Sequence, residues 1–258
     1  MKKMNFRGIL LFALLLCASF NTIRAGEYYQ INFYHIDNDA QELKLEKYIK
    51  NAYLPALHRI GIESVGVFKT IKGANEDSRM LVMLIPLKSL KQLEKMETGL
   101  EGDEVFIAAS NEFRSSAHDA PPYQRLESSL LQAFSSFPSH HKPEMQSLPK
   151  ERVYELRNYE SATEELHRKK VKMFNEGESE IFIDLGFQPM FFARAIVGAN
   201  MPNLVYMTCH ENESMQKVNW DKFRKDPRWE KMKGMDEYRN TVSKIHKWML
   251  YPTDYSDL

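Results

Sequence analysis

The chain is short of cysteine, of long hydrophobic runs and of net positive charge. Only Cys17 and Cys209 occur in 258 residues, and the 35 Lys and Arg residues equal the 35 Asp and Glu residues in number. Glycine-rich phosphate-binding loops, H-E-x-x-H and G-x-S-x-G are all missing from the sequence. Two cysteines are too few for an iron–sulfur site or a structural zinc cluster. These absences exclude the common nucleotide-binding, metalloprotease and hydrolase signatures.

The first 25 residues have the pattern of a secretory signal peptide. Lys2, Lys3 and Arg7 form a basic start, an apolar stretch runs from Ile9 to Phe20, and we expect cleavage after Ala25. The apolar stretch is too short to span a membrane. Four of the basic residues and none of the acidic ones lie in this segment, so 31 basic and 35 acidic side chains remain. We therefore expect an exported protein, periplasmic or extracellular, with no further membrane span and no nucleic-acid partner.

Cys209 is the only cysteine that follows the predicted signal peptide. A chain with one thiol has no internal disulfide, so its stability must come from a hydrophobic core. The thiol ends the apolar run N-L-V-Y-M-T-C, which favours a buried, unreactive cysteine over a nucleophile.

An internal repeat organises the rest of the chain. Y-Q-I-N-F-Y in the first half matches Y-E-L-R-N-Y in the second half, 125 residues later. The same spacing separates four pairs of matching positions: Tyr29 and Tyr154, Gly61 and Gly186, Ser89 and Ser214, and Asn111 and Asp236. Such regular spacing indicates two copies of one module. We predict a first copy over residues 26–136, a linker over 137–150 and a second copy over 151–258.

Each copy has the pattern strand, helix, two strands, further helix, strand. Ser161 with Glu164 is a capping box that predicts the start of the second copy's first helix, and Asp39 takes the comparable place in the first copy. Gly61 and Gly186 are expected to end these helices. The order is that of the ferredoxin-like βαββαβ unit, an antiparallel sheet with helices on one face. Because the other face also needs cover, we predict an α+β protein whose two sheets pack together as an intramolecular pseudo-dimeric α/β barrel.

The second copy resembles a known family. V-Y-E-L-R-N-Y, the helix that ends in L-G-F, N-L-V-Y-M-T and D-P-R-W occur in the order found in the NIPSNAP family, which belongs to the dimeric α/β-barrel superfamily. The resemblance is best over Val153 to Tyr255. The first copy looks like a degenerate partner, since Gln30 and Asn32 stand where the second has Glu155 and Arg157. The resemblance implies a fold and a pocket rather than one reaction, because superfamily relatives include cofactor-free monooxygenases, isomerases and haem enzymes.

Strand alternation places a polar set on one face of the second sheet. Glu155 and Arg157 point to one side of their strand, and Tyr154 and Leu156 point to the other. We expect the polar face to line the barrel interior and the apolar face, together with Cys209, to meet the helices. The predicted ligand-binding residues are Glu155, Arg157, Tyr159, Arg194, Tyr206, His210 and Trp229.

Such a pocket suits a small amphipathic organic molecule. One alternative is a cofactor-independent enzyme, of monooxygenase or isomerase type, acting on an aromatic or carbonyl compound. There Arg157 and Arg194 would hold an oxyanion, and His210 or Glu155 would be the catalytic candidate that moves a proton. A second alternative is haem binding, which would need an axial histidine inside the barrel, and His210 is the only candidate for it.

Other interpretations stay open beside these. Glu155 and Arg157 could form a structural ion pair that needs no ligand. S-H-H-K at Ser139 has no further ligands at fixed spacing, so we predict no metal site. The sequence does not decide whether the protein is an enzyme, and it is compatible with a homo-oligomer.

Overall fold

The computed structural model describes residues 26–74 and 79–258, and the predicted signal peptide lies outside them. The first half contains β1 (Tyr28–His35), α1 (Asp39–Tyr48), α2 (Leu54–Arg59), β2 (Gly66–Thr70), β3 (Met80–Leu87), α3 (Leu90–Glu101), α4 (Glu104–Arg114) and β4 (Arg125–Ala133). The second half contains β5 (Val153–Glu160), α5 (Glu164–Met173), α6 (Ser179–Asp184), β6 (Gln188–Val197), β7 (Asn203–His210), α7 (Glu213–Lys225), α8 (Pro227–Lys233) and β8 (Lys244–Pro252). None of the helices in these described ranges is long and apolar enough to cross a bilayer.

The eight strands of the described chain form one closed antiparallel barrel. Each half contributes a four-stranded sheet, in the order β4-β1-β3-β2 and β8-β5-β7-β6. Two seams join the halves: β2 pairs with β8, and β4 pairs with β6. The predicted ferredoxin-like sheets and their closure into a pseudo-dimeric α/β barrel are confirmed.

The repeat is visible in the backbone, but its spacing changes along the chain. The offset of 125 residues holds from β1 and β5 as far as α2 and α6, and includes a short π-helical turn in each half, at Ile49–Tyr53 and Phe174–Glu178. The N-caps of α3 and α7 are Ser89 and Asn212, which are 123 residues apart. The last strands, β4 and β8, begin 119 residues apart. The predicted pairing of Ser89 with Ser214 is therefore wrong, as is that of Asn111 with Asp236.

The starts of the long helices also differ from the prediction. Asn38 and Thr163 cap α1 and α5, each accepting a hydrogen bond from a backbone N–H three residues later. Ser161 instead donates to a backbone carbonyl in the buried layer, so the predicted capping box begins two residues too early. Gly61 and Gly186, with φ of 78° and 86°, end the first helical stretches as predicted.

The barrel interior is filled by apolar side chains from both halves. They include Tyr29, Ile31, Tyr154, Leu156, Val205 and Met207, all of them buried. An eight-stranded barrel is just wide enough for such side chains, and a charged group there would have neither water nor a partner. The predicted polar interior is therefore wrong: the two faces of β5 and β7 are exchanged. Cys209 likewise faces the interior, where burial raises the pKa of its thiol to about 12.

Candidate functional site

The polar side chains of β5 and β7 lie between the sheet and α7, outside the barrel. We call this group the sheet–helix cluster: Glu155, Arg157, Tyr159, Tyr206, Thr208 and His210 from the strands, with Gln216, Asn219 and Trp220 from α7. The motif Y-E-L-R-N-Y brings every second residue of β5 to this face. The structure thus brings together five of the seven predicted ligand-binding residues, on the side of the sheet opposite to the predicted one.

Glu155 is the centre of the cluster and is completely buried. Its Oε1 accepts a hydrogen bond from Nε of Arg157 at 2.7 Å, and Nη2 of Arg157 lies 2.6 Å from the same oxygen. Its Oε2 accepts from Nε2 of Gln216 at 2.7 Å and from Nε1 of Trp220 at 2.6 Å. Burial alone would raise the pKa of this carboxyl, but the charge of Arg157 and these hydrogen bonds hold it below its usual range. Glu155 is therefore ionised and fully engaged.

Arg157 is the member of the cluster that reaches the surface. Its side chain is 16% exposed, and its guanidinium lies 3.8 Å from the ring centre of Trp220. Nη1 donates to the hydroxyl of Tyr159 at 3.3 Å, and that hydroxyl is 2.7 Å from the hydroxyl of Tyr206. Burial lowers the pKa of Arg157, but Tyr206, Tyr159 and Glu155 raise it overall, so the group stays charged. An arginine has five N–H donors, and these contacts use three of them.

His210 is enclosed by protein groups on both ring nitrogens. Nδ1 lies 3.4 Å from the amide nitrogen of Asn219, and Nε2 lies 3.2 Å from the hydroxyl of Thr208. Because the Asn219 amide can only donate, Nδ1 accepts and the proton sits on Nε2. Burial lowers the pKa of His210 to about 4, against the opposing charge of Glu155. The ring also packs edge-on against Phe187 at 5.1 Å, so these residues do not fit an axial haem ligand.

A second buried ion pair lies beside the cluster. Nζ of Lys170 in α5 is 2.6 Å from a carboxylate oxygen of Glu178 in the π-helical turn, and both side chains are buried. The Lys170 ammonium lies 4.9 to 5.7 Å from the ring centres of Phe174, Trp229 and Tyr159. Burial raises the pKa of Glu178 more than the charge of Lys170 lowers it. This pair could not be predicted from the sequence, because Lys170 lies in the charged run H-R-K-K-V-K and no sequence pattern marks the π-helical turn.

The motif D-P-R-W explains how Trp229 arrives at this layer. Asp226 caps α8 and accepts a hydrogen bond from the backbone N–H of Arg228 at 2.8 Å, while Pro227 takes the first helical position. Trp229 then packs on Phe223 with ring centres 4.6 Å apart and reaches Lys170. Trp229 therefore borders the site, next to the second ion pair.

Arg194 faces the same side of the sheet but lies apart from the cluster. It pairs with Leu204 on one edge of β7, whereas Arg157 pairs with Tyr206 on the other edge, so the two arginines lie two strands apart and about 7 Å out of register along the strands. Its side chain is exposed and donates to Oε1 of Gln132 across the β4–β6 seam at 2.6 Å. The structure does not place Arg194 beside Arg157.

The histidines of the predicted linker have partners within the protein. Nδ1 of His140 lies 2.8 Å from a carboxylate oxygen of Glu27, and the ring of His141 packs against Phe137 with ring centres 4.4 Å apart. In the part of the chain that the structure describes, no three His, Cys, Asp or Glu side chains are arranged to hold a metal ion.

The closed barrel and its flanking helices define the fold class, a dimeric α/β barrel formed within one chain. Similar solved structures include a "putative monooxygenase" from Fusobacterium nucleatum, 6% identical, with a TM-score of 0.57 over 88% of this chain and 93% of that chain. A "putative monooxygenase" from Lactobacillus acidophilus is 10% identical, with a TM-score of 0.58 over 88% and 94%. An "anthrone oxidase-like protein" is 11% identical, with a TM-score of 0.54 over 90% and 93%. At these identities the likeness shows the fold alone.

Residues 154–257 match the family model NIPSNAP. The second half of the chain is therefore similar to the NIPSNAP family, as its motifs predicted. A comparison with curated proteins gives no significant match.

Proposed function

We propose that the NIPSNAP half binds a small aromatic compound that carries an anionic or carbonyl oxygen, at the outer edge of the sheet–helix cluster. We further propose that it does so as an exported protein, which the signal pattern of residues 1–25 supports. The polar site lies under the helices, so the bound molecule would approach between α5 and α7 rather than through the barrel.

The observation that carries the proposal is the arrangement of Arg157. Glu155 binds one edge of the guanidinium, and the ring of Trp220 packs against one of its faces. The exposed part of the guanidinium has N–H donors that these contacts do not use. A guanidinium held in one orientation loses little entropy when it binds an oxygen anion. Because Glu155 already balances its charge, a bound carboxylate would be held chiefly by directed hydrogen bonds.

The neighbouring aromatic groups support the aromatic part of the ligand. Trp229 is partly exposed and lies beside Lys170, and Tyr159 connects Lys170 to Arg157. An indole and a phenol beside the Arg157 guanidinium offer stacking surfaces for a planar ring. Lys170, paired with Glu178, lies behind that ring.

A catalytic role is the second candidate, and the two phenols favour it. The hydroxyl of Tyr159 accepts from Nη1 of Arg157 and is hydrogen-bonded to the hydroxyl of Tyr206; with Tyr206 as the donor, the O–H of Tyr159 can donate to an oxyanion that Arg157 also stabilises. Glu155 and His210 are already engaged by protein groups, which makes Tyr159 the better-placed hydrogen-bond donor. The names of the solved structures above, monooxygenase and oxidase-like, are compatible with this second candidate.

The test is binding of 2-naphthoate to the purified protein, measured by calorimetry and by quenching of tryptophan fluorescence. Arg157→Lys keeps the charge but removes the planar fork, and we expect binding about tenfold weaker, the equivalent of one charge-assisted hydrogen bond. Arg194→Lys is the matched control, since it makes the same change on the same face of the sheet two strands away, and it should bind like the wild type.

A second variant keeps the test decisive. If Arg157→Lys lowers the melting temperature, Tyr159→Phe replaces it, because that change removes the hydroxyl and keeps the packing. Absence of 2-naphthoate binding to the wild type, or equal binding by the wild type and both cluster variants, would reject the proposed site.

A further inference from the structure

The two ends of the barrel are built differently. At the end near the start of β1 and β5, Leu258 and Met145 pack against the interior cluster and close it. At the other end, where β1 and β5 finish, the inward-facing side chains are polar and partly exposed. We call this second end the open mouth, formed by the inward-facing residues Phe33, His35, Glu127, Glu160, His246 and Trp248.

Two histidine–carboxylate pairs line the open mouth. Nε2 of His35 lies 3.0 Å from Oε1 of Glu127, with the two side chains 29% and 47% exposed. Nε2 of His246 contacts Oε1 of Glu160 in the same manner, with exposures of 23% and 21%. When the imidazole is neutral, the ionised carboxylate must accept the Nε2–H, and Nδ1 then keeps a lone pair that can accept a hydrogen bond.

The internal repeat relates the two pairs to each other with acid and base exchanged. The 125-residue offset of β1 and β5 takes His35 to Glu160, and the 119-residue offset of β4 and β8 takes Glu127 to His246. Matching backbone bonds show that these positions are equivalent. The N–H of Gln124 donates to the carbonyl of His35, and the N–H of Ser243 donates to the carbonyl of Glu160, both at 2.8 Å. Both halves therefore have a histidine–carboxylate pair at equivalent positions, although the histidine and the glutamate have exchanged strands.

An aromatic surface lies between the two pairs. Phe33 and Trp248 meet across the barrel with ring centres 5.1 Å apart, and Trp248 is stacked parallel to the imidazole of His246 at 5.7 Å. Phe33 is two residues from His35 on the same strand face. The mouth thus has an aromatic floor with one imidazole acceptor at each side.

The charges at the mouth compensate one another. Arg125 is two residues from Glu127 on the same face of β4, and Lys244 of β8 is the register partner of Glu160, so each carboxylate has one basic residue at a neighbouring position. A site with balanced charge, stacking surfaces and free acceptors favours an uncharged, planar ligand with hydroxyl donors.

We propose that the open mouth is a binding site for an uncharged hydroxylated aromatic compound, which stacks on Trp248 and Phe33 and donates its hydroxyl to Nδ1 of His35 or His246. This site is separate from the sheet–helix cluster and involves none of its residues. Because one histidine lies on β1 and the other on β8, a ligand with a hydroxyl at each end could donate one hydrogen bond to each imidazole.

The test uses 2-naphthol as the probe and Trp248 fluorescence with calorimetry as the measurements. His35→Gln and His246→Gln keep an N–H donor for the partner carboxylate and remove the Nδ1 acceptor, so the pair survives and the proposed contact does not. We expect the double variant to bind 2-naphthol about tenfold more weakly at an unchanged melting temperature. His58→Gln, which alters an exposed histidine–aspartate pair of similar length outside the barrel, should bind like the wild type.

The outcomes also separate this site from the one proposed for the sheet–helix cluster. Arg157→Lys should leave 2-naphthol binding unchanged, and 2-naphthoate should not compete with 2-naphthol. Trp248→Leu should abolish the fluorescence response and weaken the binding seen by calorimetry. No detectable 2-naphthol binding, or equal binding by the double histidine variant and the wild type, would overturn the proposal.

Discussion

Replacing Glu155 by Gln tests whether the sheet–helix cluster holds the second half together. The substitution keeps the size of the side chain but turns one acceptor oxygen into an NH2 donor. Glu155 receives four contacts, two from Arg157, one from Gln216 and one from Trp220. In either orientation of the new amide, its NH2 group points at N–H donors of Arg157 or of Gln216 and Trp220. Arg157 also loses its negatively charged partner.

The structure sets the size of the effect. Hydrogen bonds to charged groups are worth about 1.5–3 kcal/mol each, and two of the four contacts are lost. Removing one partner of a buried ion pair costs about 3–5 kcal/mol, which agrees with that sum. For a chain of this length we expect the melting temperature of Glu155→Gln to fall by roughly 6–20 °C.

Urea and thermal denaturation of the wild type and variant over a range of pH would measure this effect. The folded-state pKa of Glu155 is lowered, so its contribution is present above the unfolded value of about 4.3 and is lost as the pH falls through the folded value. The difference between the two proteins should therefore shrink on acidification. Glu213→Gln, in an exposed pair with Lys217, is the control and should change little. Equal stability of Glu155→Gln and the wild type at neutral pH would refute the reasoning.

Two further predictions follow from the same buried layer. The imidazole of His210 should titrate at about pH 4 in an NMR experiment, and a midpoint near 6.5 would contradict its burial. Because the unfolded chain binds the proton more tightly, the contribution of His210 to stability should be full above about pH 6.5 and should be lost as the pH falls to 4. Lys170→Met should lower the free energy of unfolding by about 3–5 kcal/mol in urea denaturation, because Glu178 is left unpaired. Adding Glu178→Leu should restore most of that stability. A double variant no more stable than Lys170→Met would show that the pair is not an isolated unit.

The architecture could be predicted because its signals are local and repeated. Gly61 and Gly186 mark the ends of equivalent helices, and the alternation in Y-E-L-R-N-Y defines a strand with one polar face. The need to cover both faces of two sheets then leads to the barrel. The constant spacing of the repeat was predicted wrongly for the later elements, where the second half is shorter. A few matching residues cannot show where after Gly186 the missing residues lie.

The side of the sheet on which the polar set lies could not be predicted. Alternation shows that Glu155 and Leu156 point in opposite directions, but not which direction is inward. The answer depends on Gln216 and Trp220, which are more than 60 residues away in the sequence and satisfy the carboxylate from α7. Arg194 shows the related limit: parity gives the face of a residue but not its distance along the strand.

The fusion of the two halves through their seams changes what a single substitution does. In a symmetric pair of identical chains, every substitution occurs twice, so a buried glutamate would have to be accommodated at two places at once. Here the first half has Gln30 and Asn32 at the positions of Glu155 and Arg157, and its helix-facing layer is a mainly apolar core. One half can therefore change towards ligand recognition while its twin remains a scaffold, a division of labour that a homodimer of the same fold has no way to encode.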